Sequence, residues 1–386
     1  MRLSLDVAGP FFDERHKALA ADLAKLAPKL EAIAHDAPAL AREMGKLHGL
    51  YALLVPESQG GFPVGRPESS TAIDVRSLCL TREMLGHVSP TADSIFAVQG
   101  LGSYPIVLAG DKAQRAKFLP GVVDGSRIGA FGLTEAEAGS DVASMQTTAT
   151  PDGDTFLLDG EKIFISNVGL ATHFVVFANA NRAEGRNGIT AFVVEKGAHG
   201  LTEEPMTLSV EHPIGKLKLS SVRVPASSVL GAVGGGFKLA MQTLDTFRVT
   251  VGAAACGMAS RALEEAIARV KSRVQFGKPL SDQPVIRSKL AEMATLLDAS
   301  RLMVVRAAHA KDTSKARVST EVAMAKLFAT ESAQRIIDDA LQLHGGMGVV
   351  AGSVVERLYR EIRPLRIYEG TSEIQRLIIG GDLVRE

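Results

Sequence analysis

The stretch Asp152-Gly-Asp-Thr-Phe-Leu-Leu-Asp-Gly160 encloses a short apolar run between two Asp-Gly pairs. Asp-Gly pairs favour tight hairpin turns, because glycine adopts positive φ without steric cost. We therefore predict a strand at Thr155–Leu158 with a hairpin turn at each end. This part of the sequence, between about residues 123 and 233, predicts a compact antiparallel β module. Its other β-type runs are Phe174–Phe177, Ile189–Val194 and Lys216–Val224.

Helical periodicity flanks the β module on both sides. Before it, apolar residues recur at spacings of three and four from Leu23 to Ile33, within a mainly helical block. After it, a similar apolar stripe runs from Leu244 to Met258. The sequence thus predicts an α+β fold of three packed blocks, at residues 1–122, 123–233 and 234–386. Further helical patterns in the last block cover Gln283–Ala310, Ser319–Leu343 and Glu373–Leu383.

Composition narrows the classes of function. The 386 residues include 43 basic and 43 acidic side chains, so the chain lacks the net positive charge that nucleic acids or acidic membranes attract. Its two cysteines, Cys79 and Cys256, form neither a disulfide framework nor a metal-ligand spacing, and we expect both in the core. The charged N-terminal segment lacks the apolar centre of a signal peptide, and no apolar run approaches the roughly 18 residues of a membrane span. We expect a soluble, cytoplasmic protein.

Five local strings resemble motifs of the acyl-CoA dehydrogenase family, in that family's order and spacing. The first 120 residues match more loosely, through their helical character and the segment Val55–Gly61. The resemblance implies an N-terminal helical domain, a middle antiparallel β-barrel or sandwich domain and a C-terminal four-helix bundle. It also implies FAD as cofactor and a homotetramer built as a dimer of dimers. The five strings are Phe131-Gly-Leu-Thr-Glu-Ala-Glu-Ala-Gly-Ser-Asp141, Phe164-Ile-Ser-Asn167, Arg273-Val-Gln-Phe-Gly277, Gln342-Leu-His-Gly-Gly-Met-Gly348 and Ile367-Tyr-Glu-Gly-Thr-Ser-Glu-Ile-Gln375.

The reaction that the resemblance implies is a flavin-dependent α,β-dehydrogenation of an acyl-CoA thioester. Such a reaction needs a carboxylate beside the α-proton, because that proton is only weakly acidic. Glu369 stands where the family keeps this base, in a loop before the last predicted helix. Another family branch carries its base on a helix, at the position that Phe247 occupies here, and phenylalanine cannot accept a proton. The sequence therefore indicates the branch with the loop glutamate.

The resemblance places a set of residues, mostly from the β module, against the flavin ring. Phe164 takes the place of a common tryptophan. Ser166 replaces a threonine whose hydroxyl bonds flavin N5, and serine keeps that donor. The alternative for Phe164 and Ile165 is a place in the core of a strand. The set comprises Phe131, Leu133, Thr134, Gly139, Ser140, Phe164, Ile165 and Ser166, with Thr371 and Glu373 from the final loop.

The adenosine diphosphate part of FAD requires cationic and backbone donors. Arg273 offers a guanidinium for the pyrophosphate, and Phe276 offers an aromatic face. The pair Gly345-Gly346 also fits a helix C-cap, a role that is compatible with ligand binding. His344 lacks a second ligand at metal-binding spacing, so no metal site is expected. By resemblance a neighbouring subunit completes this end with Gln283, Gln342, Leu343, Gly345 and Gly346.

The resemblance places the substrate against Ser140, Leu244, Asp245, Arg248 and Gly370. Asp245 and Arg248 share a helix face, so a surface ion pair is the alternative to a role along the path of CoA. Leu244 replaces an aromatic residue that often precedes the aspartate. The bulk of the residue at position 247 suggests a narrow cavity near the reacting carbons, while the acyl chain length stays open.

The motifs leave three alternative functions open. An acyl-CoA oxidase uses the same scaffold, and oxygen access to a flavin has no sequence motif. A dehydrogenase of acyl groups on a carrier protein is the second alternative, which Asp245 and Arg248 disfavour. A nucleic-acid-binding flavoprotein is the third, which the zero net charge disfavours. For the preferred function the expected partners are acyl-CoA and electron-transferring flavoprotein or a similar acceptor.

Overall fold

Along the sequence, helices precede and follow the strands of the large sheet. The structure is a computed structural model that describes residues 1–47, 49–62, 72–314 and 316–385. The predicted helical patterns of the last block agree closely with the observed helices. The α-helices of the described residues are α1 (Glu14–Glu31), α2 (Ala37–Arg42), α3 (Val75–Val88), α4 (Pro90–Ala109), α5 (Lys112–Val123), α6 (Gly236–Ser272), α7 (Pro284–Thr313), α8 (Ser319–His344), α9 (Val354–Glu361) and α10 (Ser372–Leu383).

The middle of the described chain forms a seven-stranded sheet. Its strand order is β1-β4-β2-β3-β7-β6, and β5 pairs with β4. The long strands β3 and β7 run antiparallel to each other near the centre of this order. The strands are β1 (Gly129–Gly132), β2 (Thr148–Asp152), β3 (Thr155–Ser166), β4 (His173–Asn179), β5 (Ile189–Glu195), β6 (Leu201–Pro205) and β7 (Ile214–Pro225).

The prediction of an antiparallel module is only partly correct. β1 pairs with β4 in parallel, beginning with Gly129 opposite His173, and β2 meets β4 in parallel at Thr148 and Asn179. The other ladders of this sheet are antiparallel. Parallel neighbours come from segments that no tight turn can join, so the local turn signals in the sequence do not reveal them.

The second Asp-Gly pair does not form the predicted turn. Asp152-Gly153 makes the hairpin between β2 and β3, with Gly153 at φ 62°. Gly160 lies inside β3, where the register against β7 shifts between Leu158 and Gly160. Its φ is 147°, and a Cβ there would lie 2.5 Å from Thr147 Oγ1. Gly160 therefore marks a β-bulge, which a glycine inside a strand often does.

Gly160→Ala is expected to lower the free energy of unfolding by about 3 kcal/mol, because the new methyl group overlaps Thr147 and the backbone is unfavourable for alanine. The matched change Gly153→Ala is expected to cost only about 1 kcal/mol of backbone strain. The reason for this difference is that nothing lies within 4 Å of a Cβ on Gly153. Urea denaturation of both variants measures the two losses of unfolding free energy. Equal losses would contradict the close packing of Thr147 against Gly160.

The chain divides into two compact units whose segments alternate along the sequence. Unit 1 comprises Met1–Ala32, Val75–Asp93 and Arg248–Glu386, and unit 2 comprises Ile33–Asp74 and Ser94–Phe247. The boundaries after residues 93 and 247 fall within α4 and α6, which single-residue patterns cannot show. The division into blocks 1–122, 123–233 and 234–386 stays a prediction.

Each unit has its own apolar core. The core of unit 1 draws on α3 and α6 to α9 and includes Cys79 and Cys256, which confirms that both cysteines are buried. Glycine lets two helices of unit 1 approach closely, since a Cβ on Gly257 would lie 2.0 Å from Glu83 O. The core of unit 2 covers the sheet. Within the described ranges, no helix is long and apolar enough to cross a bilayer.

Candidate active site

The loop that carries Glu369 precedes α10 and belongs to unit 1. Glu369 and Gly370 both have left-handed backbones, at φ 52° and 92°. This conformation costs a glutamate about 1–2 kcal/mol, so its surroundings must hold it. Lys326 Nζ and Gln375 Nε2 each donate to the Gly370 carbonyl at 2.8 Å. Arg248 Nε donates to the Glu369 carbonyl at 3.3 Å, so side chains from α6, α8 and α10 fix the loop.

The carboxylate of Glu369 is buried, with its side chain 5% exposed. Oε1 lies 4.0 Å from Arg82 Nη1, whereas Oε2 has no hydrogen-bond partner among the described residues. Burial raises the pKa of this carboxyl, and the positive charges of Arg82, Lys326 and Arg248 oppose that rise. A buried carboxylate with one unpaired oxygen and a raised pKa is suited to accept a proton.

A buried ion pair stands beside this carboxylate. Arg82 Nε and Nη2 donate to the two oxygens of Asp93 at 2.7 and 2.8 Å, which is a bidentate arrangement. The third guanidinium nitrogen, Nη1, donates to Thr250 Oγ1 at 2.8 Å. Neither Arg82 nor Asp93 was predicted from the sequence. The burial of every residue of α3 is evident only in the structure, where a cation within such a helix needs a partner.

Lys326 is a second buried cation near Glu369 that was not predicted from the sequence. It lies on α8 with an exposed fraction of 0%, although lysine is rarely buried without a partner. Burial lowers the pKa of Lys326 to about 8, and the negative charge of Glu369 opposes this effect. A lysine on the apolar face of a helix was the available signal.

Two predicted substrate residues, Arg248 and Gly370, lie next to Glu369 in unit 1. Arg248 is only 9% exposed, which does not fit the alternative of a surface ion pair with Asp245. The other predicted substrate residues belong to unit 2, where Ser140 is exposed and Leu244 and Asp245 are partly buried. Contact of these residues with a substrate stays a prediction.

Phe164 is an exposed aromatic residue of unit 2. It lies in β3 where the register against β7 shifts between Lys162 and Ile165, and it has a left-handed backbone at φ 58°. An exposed fraction of 54% and a strained backbone indicate a ligand surface rather than a place in the core. Ile165 is 1% exposed and packs in the sheet core. The core alternative therefore holds for Ile165 and not for Phe164.

Ser166 is partly buried and contacts a histidine. Its Oγ lies 2.7 Å from His212 Nε2, which also lies 3.2 Å from Ser94 Oγ. Burial lowers the pKa of His212 to about 4, so the ring is neutral at physiological pH. A neutral ring nitrogen between two hydroxyls orients the Ser166 hydroxyl. His212 was not predicted from the sequence, because it stands in a loop without a recognisable motif.

The other predicted flavin-facing residues of unit 2 follow β1. The Phe131 ring packs edge-on against a neighbouring ring, Phe177, with centroids 5.0 Å apart. The Leu133 carbonyl accepts a hydrogen bond from Lys162 Nζ at 3.3 Å. The Thr134 carbonyl accepts one from the backbone N–H of Ile163 at 2.9 Å, so β3 holds this segment. The predicted residues Gly139 and Ser140 are exposed.

The residues predicted for the adenosine diphosphate end lie in unit 1. Phe276 and Gly277 form the turn between β8 (Val274–Gln275) and β9 (Lys278–Pro279), at φ 53° and 80°. Two-residue turns of this kind favour Asn-Gly, so a phenylalanine that is 94% exposed indicates a role beyond the turn. The predicted residues Arg273 and Gln283 flank this hairpin.

Two predicted cofactor residues have capping roles. Gly345 ends α8 at φ 60°, and its N–H bonds to a carbonyl of the last turn, as the C-cap prediction requires. Thr371 Oγ1 caps α10 by accepting from Ile374 N at 3.3 Å. Contact of either residue with a cofactor stays a prediction. Among the other predicted residues of these segments, Leu343 is buried, while Gln342, Gly346 and Glu373 are exposed.

The chain matches three family profiles that together cover most of its length. Their descriptions are acyl-CoA dehydrogenase, N-terminal domain at residues 11–126, middle domain at 130–222 and C-terminal domain at 234–383. The chain belongs to the acyl-CoA dehydrogenase family. This acyl-CoA dehydrogenase homologue is an oxidoreductase with a flavin cofactor.

Individual relatives match over nearly the whole chain. A 3-(aryl)acrylate reductase of Clostridium sporogenes is 34% identical over 97% of this chain and 100% of its own length. The structure of butyryl-CoA dehydrogenase from Megasphaera elsdenii has a TM-score of 0.86 at 36% identity, covering 96% of this chain and 98% of that chain. A chain in the structure of an electron transferring flavoprotein of Acidaminococcus fermentans has a TM-score of 0.90 at 33% identity, covering 97% and 99%.

The residues of this family member fit a flavin. In unit 2, Phe164 is an exposed aromatic ring on a strained backbone, which a stacked ligand ring explains better than folding does. The Ser166 hydroxyl is oriented by a neutral histidine and remains partly exposed. These observations suit an aromatic cofactor with hydrogen-bonding ring nitrogens.

Proposed function

We propose that this protein uses FAD to desaturate an acyl-CoA thioester between Cα and Cβ, with Glu369 as the base. The observation that carries the proposal is the buried Oε2 of Glu369, which has no hydrogen-bond partner in the described part of the chain. Three hydrogen bonds to the carbonyls of Glu369 and Gly370 fix the backbone of the loop that carries this side chain. Such a fixed base, ready before the substrate binds, lowers the barrier to proton transfer.

In the proposed reaction Glu369 Oε2 takes the proton from Cα of the acyl chain. Because burial weakens the solvation of the carboxylate, Glu369 is a stronger base than a glutamate in water. The positive charges of Arg82, Lys326 and Arg248 favour the ionised carboxylate and oppose the effect of burial. A bound FAD, which Phe164 and Ser166 would help to hold, would supply the two-electron oxidant that the loss of a hydride from Cβ requires. Exclusion of water from the carboxylate protects the transferred proton from exchange.

The relatives support a reaction at the two carbons next to the acyl carbonyl. Butyryl-CoA dehydrogenase and 3-(aryl)acrylate reductase are named for chemistry at this same bond, in opposite directions.

In unit 2 the Phe247 ring is 0% exposed and packs edge-on against Tyr104, with centroids 5.6 Å apart. A Cβ on Gly100 would lie 2.4 Å from the Phe247 ring, so that ring has no room to move on this side.

We further propose electron-transferring flavoprotein as the electron acceptor. The support is the match to a chain in the structure of an electron transferring flavoprotein. Completion of the FAD site by Gln342 and Gly346 of a neighbouring subunit, the homotetramer and the cytoplasmic location stay predictions.

The test is anaerobic reduction of the purified flavoprotein by a panel of acyl-CoA thioesters, which includes short, branched, cyclic and aryl-substituted chains. We expect one class to bleach the visible flavin absorbance and to yield the trans-2-enoyl-CoA by mass spectrometry. Reoxidation should be fast with electron-transferring flavoprotein and slow with air. Fast reoxidation by air would identify an oxidase instead, and reduction only by a carrier-protein thioester would exclude CoA as the carrier.

A further inference from the structure

Arg82 approaches Oε1 of Glu369 to 4.0 Å from a fixed position. Both oxygens of Asp93 and the hydroxyl of Thr250 accept hydrogen bonds from its guanidinium group. The positive charge of Arg82 also acts on the hydroxyl of Tyr368, the residue before Glu369. Because the N–H donors of a guanidinium group lie in one plane, these contacts fix the direction in which Nη1 faces Glu369.

Arg82 differs from the other two cations near the base in what it contacts. Lys326 and Arg248 donate to backbone carbonyls of the loop, whereas Nη1 of Arg82 faces the carboxylate itself. Both members of the Arg82–Asp93 pair are almost completely buried, at 0% and 1% exposure, so solvent screens their charges little. The titratable groups that act on Glu369 or on its neighbour Lys326 are Arg82 from α3, Asp93 from α4, Arg248 from α6, Lys326 and Glu331 from α8, Glu373 from α10 and the hydroxyl of Tyr368.

We propose that Arg82 and Asp93 are a positioning pair for the base: Arg82 holds Oε1 of Glu369 and leaves Oε2 free for the α-proton, and Asp93 limits how strongly Arg82 attracts that carboxylate. The inference rests on the proposed role of Glu369. A full ion pair between Arg82 and Glu369 would orient the carboxylate but would also weaken it as a base. The bidentate bond to Asp93 offsets most of the guanidinium charge. The carboxylate of Glu369 therefore keeps both its orientation and its basicity.

A purely structural pair would join α3 to α4 and leave the base unaffected. Two substitutions distinguish these roles by the sign of one measurement, the acid limb of the pH profile of kcat/KM. This limb reports the deprotonation of the base in the free enzyme. Arg82→Gln removes the opposing cation, so the limb is expected to move to higher pH by about one unit. Asp93→Asn removes the carboxylate that offsets the guanidinium charge, so that charge acts more strongly on Glu369. The limb is therefore expected to move to lower pH, by about half a unit or more.

A second measurement does not require turnover. Infrared titration of the holoenzyme follows the carbonyl stretch of the protonated carboxyl group, which is assigned to Glu369 by its loss in Glu369→Gln. The midpoint of that band is expected to shift to higher pH for Arg82→Gln and to lower pH for Asp93→Asn. If Glu369→Gln still turns over at the wild-type rate, Glu369 is not the base. The infrared shifts then still decide whether the Arg82–Asp93 pair controls this carboxyl.

Glu83→Gln is the matched control, because Glu83 is the next residue of α3 and forms a buried pair with Arg301 at 2.7 Å. It is expected to lower stability without moving the acid limb. If the single variants at Arg82 and Asp93 do not fold, the double variant Arg82→Met/Asp93→Leu removes both charges, which is often tolerated in a core. This double variant should move the acid limb to higher pH, since Arg82 lies nearer to Glu369 than Asp93 does. Shifts of equal sign in the single variants, or an unmoved limb in all of them, would overturn the proposal.

Discussion

Glu369→Gln is expected to lower kcat for the best acyl-CoA by about 10²- to 10⁴-fold, the contribution that a positioned general base makes. Glutamine has the same size as glutamate and keeps the loop filled, but its amide oxygen does not take up a proton at neutral pH. The backbone anchors from Arg248, Lys326 and Gln375 do not involve the replaced side chain, so binding should survive. Stopped-flow reduction of the flavin measures the rate, and spectral titration with acyl-CoA measures binding.

Glu292→Gln is a suitable control for this prediction. Glu292 lies on α7 in the same unit, and its half-exposed carboxylate forms an ion pair with Arg335 at 3.2 Å. Loss of an exposed ion pair costs about 0–1 kcal/mol and should leave the rate unchanged. A Glu369→Gln variant that reduces its flavin as fast as the Glu292→Gln variant would show that another group removes the proton.

The local features of this chain could be predicted from its sequence because their signals lie within a few residues. The hairpin at Asp152-Gly153 follows from a glycine at positive φ, and the C-cap at Gly345 follows from the same property. The last helix begins at Ser372 because Thr371 caps it, within the string that drew attention to Glu369. Short-range chemistry thus located the loop, and the family resemblance of that short string identified its candidate base.

The charged groups around Glu369 could not be predicted as a set, because space rather than sequence joins them. Arg82, Asp93, Thr250, Lys326 and Glu369 come from five segments of the chain, and no spacing rule links them. Single-residue patterns also treat a charged residue as a sign of exposure, whereas Arg82 and Lys326 are both 0% exposed. Their burial is tolerated because each finds a partner in the fold: a carboxylate for Arg82 and a carbonyl for Lys326.

The errors in the β module have the same origin. An Asp-Gly pair forms a turn or a bulge depending on the neighbouring strand, and at Gly160 the close approach of Thr147 leaves room for glycine only. The parallel contact of β1 with β4 brings together residues 129 and 173, more than forty positions apart. Periodicity reports which residues face a core, but it does not report strand order.

Lys162→Met is expected to lower the free energy of unfolding by about 3–5 kcal/mol, because it leaves Glu135 buried without its cation. Lys162 is 0% exposed in β3, and its Nζ donates to Glu135 Oε1 at 2.6 Å. Glu135 in turn accepts hydrogen bonds from the backbone N–H groups of Gln146 and Thr147. The pair therefore fixes the segment after β1, which carries the predicted flavin residues Leu133 and Thr134. Urea denaturation followed by circular dichroism measures the loss, and flavin affinity should fall with it.

Lys216→Met provides the matched control within the same sheet. Lys216 lies on β7 and pairs with Glu161 at 2.9 Å, but both side chains are about one-third exposed, so the pair is worth only about 0–1 kcal/mol. The double variant Lys162→Met/Glu135→Gln removes the uncompensated charge and should be more stable than Lys162→Met alone. If Lys162→Met and Lys216→Met lose the same stability, the buried pair does not hold the flavin-side segment, and the order of Leu133 and Thr134 must come from the backbone ladder alone.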